Sequence, residues 1–264
     1  SGVTMKLPIL TIAVCIAAAS ARAQSVLDPA VWARGEKLGM EIRAVKAKQA
    51  SRPTQASIAL DFDPSVPAEI KSQMRGDMEF ASSIRGLEAS ELHRKIFGQV
   101  DGRDYMRFFA DRIKSIGMDS CGDALAAVAC VRNEYPSTMW VARGYTILKI
   151  PQIYRAYVLF HEARHAEVAA DGWPHARCPE PFKDANGNDI KGIISGSLLA
   201  GNYGCDTTAL GAYGAGMVML KNISKYCENC TGKVKMDAGM FADDLLLRFI
   251  DRSAVKTLRD DLYR

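Results

Sequence analysis

Apolar residues recur every three or four positions along much of the chain, and prolines and glycines break the pattern into segments. Asp28-Pro29 has the form of a helix start, and Trp32, Leu38, Ile42 and Val45 follow at roughly helical spacing. Three prolines between Ser51 and Pro67 predict a loop. Pro67-Ala68-Glu69 opens a further helix and Ser90-x-x-His93 another. Tyr105 to Ile116 places Met106, Phe109, Ile113 and Ile116 on one face. Near residue 126 the pattern changes. Ala126 to Val131 and Thr138 to Ile150 are rich in β-branched and aromatic residues. Trp140 to Ala142 and Tyr145 to Ile150 flank Arg143-Gly144 as the arms of a hairpin. A long helix is predicted from about Gln152 to Ala170, ended by Asp171-Gly172 and blocked by Pro174. Residues 173–204 are a Pro/Gly/Asn-rich excursion with an Asn-Gly turn at 186–187. Asp206 is the expected N-cap of a helix from Thr207 to Lys225, and an amphipathic helix from Ala238 to Val255 leads into a helical tail. The expected class is α+β, mostly helical, with a small sheet or hairpin before the helix at 152–170.

The first residues read as an export signal. Met5-Lys6 precedes an apolar run, Leu7 to Ala19, and the A-x-A site Ala21-Arg22-Ala23. The run is shorter than the roughly 20 residues a membrane span requires. Cleavage after Ala23 leaves one exported domain, 24–264, with a helical part to about 125 and a second part from about 126. The formal charge of +4 falls to +2 when Lys6 and Arg22 leave with the signal. So small a charge, with no basic run among aromatics, argues against a nucleic-acid partner. No later segment is apolar enough to span a membrane. Six cysteines remain, an even number that suits disulfides in a periplasmic or secreted protein. Pairing in order, Cys121 with Cys130, Cys178 with Cys205 and Cys227 with Cys230, closes three compact loops.

The segment that carries chemistry is His161-Glu162-Ala163-Arg164-His165. Four helical residues turn the chain by about 400° and raise it about 6 Å, so both imidazoles leave one face. Two nitrogens there can share one Zn2+ ion, with Glu162 beside the open position as general base for a water the metal acidifies. A chance HExxH in a chain of this size is on the order of a one-in-a-hundred event. His93, in a basic helical segment, is expected on the surface.

With this motif the chain resembles the zincin metallopeptidases, over about residues 138–225. The resemblance implies a zincin-like fold, a peptide or protein substrate, and a strand before the active helix lining the cleft, here Tyr145 to Ile150. Gly172-Trp173-Pro174-His175 supplies the G-x-x-H of the metzincin subgroup, but four residues late, so His175 is the first candidate for third ligand. Asp206 is the alternative, drawn near by a Cys178–Cys205 bridge. The glutamate of the gluzincin subgroup is absent from the helix after Thr207. Tyr213 and Tyr203 are candidates to stabilise an oxyanion. Met217 and Met219 resemble a metzincin methionine turn but sit in a core pattern. Two rival readings stand beside the peptidase. One is a non-catalytic binding protein with a structural metal, which a fourth protein ligand would favour. The other is a hydrolase of a non-protein amide such as cell-wall material.

Overall fold

A computed structural model describes residues 60–121, 128–147 and 149–264, all within the compact unit Gln55–Arg264. The signal at 1–23, the helix expected after Asp28 and the start of the loop after Ser51 lie outside the described residues. The described chain is α+β, with eight α-helices around a small mixed sheet. None of these helices is long and apolar enough to cross a membrane.

Helix α1 (Ala68–Ser83) turns Ile70, Met74, Met78 and Ala81 inward, the spacing of one helical face. Helix α2 (Glu91–Ile96) starts at Ser90, whose side chain accepts the His93 N–H, and α3 (Gly102–Arg112) starts at Asp101, which accepts the Arg103 N–H. The expected helix at Tyr105–Ile116 stops early. Ile113 turns extended and Ile116 enters strand β2 (Ser115–Met118), between β1 (Asp61–Phe62) and β4 (Tyr135–Val141), both parallel to it. Strand β3 (Ala129–Arg132) closes the sheet as an antiparallel edge, giving the order β1-β2-β4-β3.

The hairpin is therefore β3–β4, turning at Asn133-Glu134, and not the pair expected around Arg143-Gly144. Gly144–Ile147 is a short helix, α4. Tyr145 is fully buried and its hydroxyl donates to Asp77 Oδ2 at 2.7 Å, so α1 captures this segment before it can pair with β4.

Helix α5 (Gln152–His165) is buried continuously from Ala156 to Arg164. Phe160 is completely buried among the rings of Phe97, Tyr105, Phe108 and Phe109. Helix α6 (Ala212–Tyr226) packs beside α5, followed by α7 (Gly232–Leu246) and α8 (Arg252–Leu262). The single amphipathic helix expected at 238–255 is thus two. Asp251 caps α8 by accepting the Ser253 and Ala254 N–H groups, and the break lets residues 248–250 run beside Asp206. Between α5 and α6 lie the excursion strands β5 (Ala176–Arg177) and β6 (Tyr203–Cys205). The Asn-Gly turn is present, with Asp184 Oδ1 accepting from the backbone of Asn186 and Asn188 and Gly187 at φ +83°. The disulfides pair in sequence order, Cys121–Cys130, Cys178–Cys205 and Cys227–Cys230. They fit an exported protein.

His93 is not on the surface but fully buried. One ring nitrogen lies 3.0 Å from the Gly98 carbonyl and the other 2.8 Å from the Tyr105 hydroxyl, which suits a neutral ring donating at Nδ1 and accepting at Nε2. Burial depresses its pKa from 6.5 to about 4. Below pH 6.5 the unfolded chain takes up a proton that the folded chain refuses, so stability falls with pH between 6.5 and 4. The expected loss from this group is about 3 kcal/mol. Urea unfolding of the wild type and His93→Gln across that range should show a shallower acid loss in the variant, and parallel profiles would contradict this.

Candidate metal centre

The expected long helix ends at His165, not at Ala170. The chain then makes a short 3-10 turn, Val168–Ala170, and passes through three left-handed residues, Asp171 (φ 53°), Gly172 (φ 67°) and Trp173 (φ 49°). Left-handed backbone costs a non-glycine residue roughly 1–2 kcal/mol. Glu167 holds the turn against that cost. It accepts from Arg112, Arg164 and the Trp173 indole, and its carbonyl accepts the Gly172 N–H. The turn spends the residues that seemed to place His175 too late and returns its ring to α5.

The Nε2 atoms of His161, His165 and His175 form a triangle with every side 3.2 Å. No two of these nitrogens need be hydrogen-bonded, because each Nδ1 has its own partner. His165 Nδ1 donates to the Gly172 carbonyl at 2.7 Å, His175 Nδ1 to Asp206 Oδ1 at 2.9 Å, and His161 Nδ1 lies 3.3 Å from the Tyr157 hydroxyl. With the proton held at Nδ1, three lone pairs face one point. An ion about 2.0–2.1 Å from each nitrogen would see N–ion–N angles near 103°, close to tetrahedral. The trio can hold a metal ion, and among the described residues no fourth His, Cys, Asp or Glu joins it. Burial and the neighbouring rings press the His161 pKa well below 6.5, and burial lowers that of His165 to about 4, so both rings are neutral donors near pH 7.

Asp206, the alternative ligand, stands behind His175. Its Oδ1 orients that ring and its Oδ2 accepts the Tyr213 N–H at 3.0 Å. It is not the N-cap residue, since α6 begins six residues later, yet it still satisfies a first-turn N–H of that helix. Its own backbone is pinned by Arg248 and Ile250. Asp206→Asn should weaken metal affinity by about 10–100-fold, measured by competition with a chelator. An unchanged affinity would remove Asp206 from the site's support.

Glu162 is buried beside His161 and accepts the Val131 N–H of edge strand β3. Burial raises its pKa to about 8, against that hydrogen bond. A cation in the trio would favour the ionised form. The strand next to α5 is therefore β3, in place of the expected Tyr145–Ile150. The ring of Tyr213 stacks on His175 at 4.3 Å and lies 4.7 Å from His161, while its hydroxyl accepts from Arg248. Gly216 lets Tyr157 pack against α6, because a Cβ there would sit 2.1 Å from the Tyr157 ring. Tyr203 is exposed on β6, away from any water-excluded position. Met217 and Met219 are buried core residues of α6. Sequence reasoning gave no role to Tyr157, Glu167 or Arg248. Tyr157 had a signal, lying one helical turn before His161, but Arg248 had none.

Comparison with known proteins finds no matching family model, no similar curated protein and no similar solved structure.

Proposed function

We propose that the protein is an exported zinc-dependent hydrolase, and that its substrate is a peptide bond. The observation that carries this reading is the triangle of Nε2 atoms, each ring with a separate partner at its Nδ1, beside a buried glutamate. Three imidazole nitrogens suit zinc, and a site with three protein ligands keeps a position for water or substrate. Zinc bound there would supply Lewis acidity. Glu162 would take a proton from the attacking water and pass it to the leaving nitrogen. Tyr213 accepts from Arg248, which leaves its own O–H to donate toward the oxygen where negative charge develops. Strand β3 has its outer edge toward Glu162 and offers an extended substrate a backbone to pair with. The expected signal peptide and the three disulfides support action outside the cytosol.

Asp206 bears on the structural-metal alternative. A fourth protein ligand would have favoured it, and Asp206 is engaged with His175 and Tyr213 instead. The test is hydrolysis of a peptide mixture by zinc-loaded protein beside Glu162→Gln. Cleavage by the first and none by the second supports the reading, and cleavage by neither contradicts it.

A further inference from the structure

Arg248 lies in the break between α7 and α8 and is nine-tenths buried, at 8% exposure. Its guanidinium carbon sits 4.7 Å from the Tyr213 ring centre, and that ring is 4.7 Å from His161. The charge is therefore within two such steps of the metal trio. Among the described residues no carboxylate lies within ion-pair distance of it. Asp244, on the preceding helical turn, acts on it only through space. The hydrogen bonds of the side chain all come from Nη1, to the Gly204 carbonyl and the Tyr213 hydroxyl, both at 3.2 Å. Nε is buried with no partner, and Nη2 makes no hydrogen bond.

Nε and Nη2 share one edge of the planar guanidinium. That edge presents two parallel N–H groups at the spacing of the two oxygens of a carboxylate. A buried cation held in place by Nη1, with its pairing edge unmet, is costly unless an anion meets it.

We infer that this edge of Arg248 binds a carboxylate of the substrate, and that the substrate is a peptide whose free C-terminal carboxylate lies one or two residues beyond the bond at the metal centre. An extended residue spans about 3.3–3.6 Å, so one or two of them with a hydrogen-bond contact of about 3 Å reach roughly 6–10 Å, against an interval of at most two 4.7 Å steps. Tyr213 then stands between the two ends of the substrate, its ring against the ligand histidines and its hydroxyl on Arg248. The inference rests on the proposed hydrolase for the word substrate, but the binding site itself does not need zinc.

The test is calorimetric binding of acetyl-trialanine with a free carboxylate, against the same peptide as its C-terminal amide. It uses Glu162→Gln protein, with and without zinc. The free acid should bind roughly tenfold or more tighter than the amide. Arg248→Lys, which keeps the charge and loses the planar edge, should erase most of that preference, and Arg248→Gln should erase all of it. Equal binding of acid and amide to the parent protein overturns the inference, whether or not the variants fold. A preference that survives in both variants also overturns it. Failure of the zinc reading would look different, because the preference would persist while zinc-loaded wild type cleaved no peptide.

Discussion

Glu162→Gln should keep its metal and lose hydrolysis by about 10²–10⁴-fold, the usual worth of a positioned acid–base group. The substitution preserves the shape of the side chain, and its amide oxygen can still accept the Val131 N–H. The imidazoles of His161, His165 and His175 are untouched, with their Nδ1 partners on Tyr157, Gly172 and Asp206. Only the capacity to take up a proton disappears. The measurement is the turnover of a cleaved peptide together with metal content on the same preparation. A variant with full zinc and full activity would show that the proton goes elsewhere. Loss of both together would mean that Glu162 acts by supporting the helix.

The second large effect is expected from the Cys178–Cys205 bridge. His161 and His165 sit on one helix and hold their spacing without help. His175 reaches them across a turn and is followed by a ribbon of only two and three residues, β5 and β6. The bridge joins the residue three beyond His175 to the residue before Asp206, with Cα atoms 5.2 Å apart. Asp206 has a second anchor in the backbone of residues 248–250, but His175 does not. Cys178→Ala with Cys205→Ala should therefore free the third ligand while α5 stays folded. Metal affinity should drop by roughly a hundredfold or more, exceeding the loss of an orienting partner alone. Chain-entropy reasoning adds a destabilisation of about 3–4 kcal/mol for a loop of this length. Chelator competition and thermal unfolding separate the two losses. Unchanged affinity in the double variant would mean that the turn at 166–174 positions His175 unaided.

What could be read from the sequence is what local chemistry decides. HEARH at helical spacing needs only the geometry of a helix, and six cysteines pairing in order need only short loops. His175 was readable as a candidate because its distance along the chain limits its reach. Elements decided by distant contacts were not readable. Tyr145 looks like a strand residue until Asp77 takes its hydroxyl. His93, next to Arg94 and Lys95, looks solvated until Tyr105 closes over it. The split between α7 and α8 follows from the pairing of Asp206 with Phe249. Arg248 matters only because that split carries it beneath Tyr213. Glu167 gives no local signal either, because its hold on Arg112, Arg164 and Trp173, which ends the helix early and so completes the site, depends on the fold.

The most direct test of the three-histidine centre is the zinc content of purified protein by elemental analysis, wild type beside His175→Ala, after dialysis against limiting zinc. The account predicts about one zinc per chain in the wild type and its loss in the variant. No zinc in the wild type, or equal zinc in both, would contradict it.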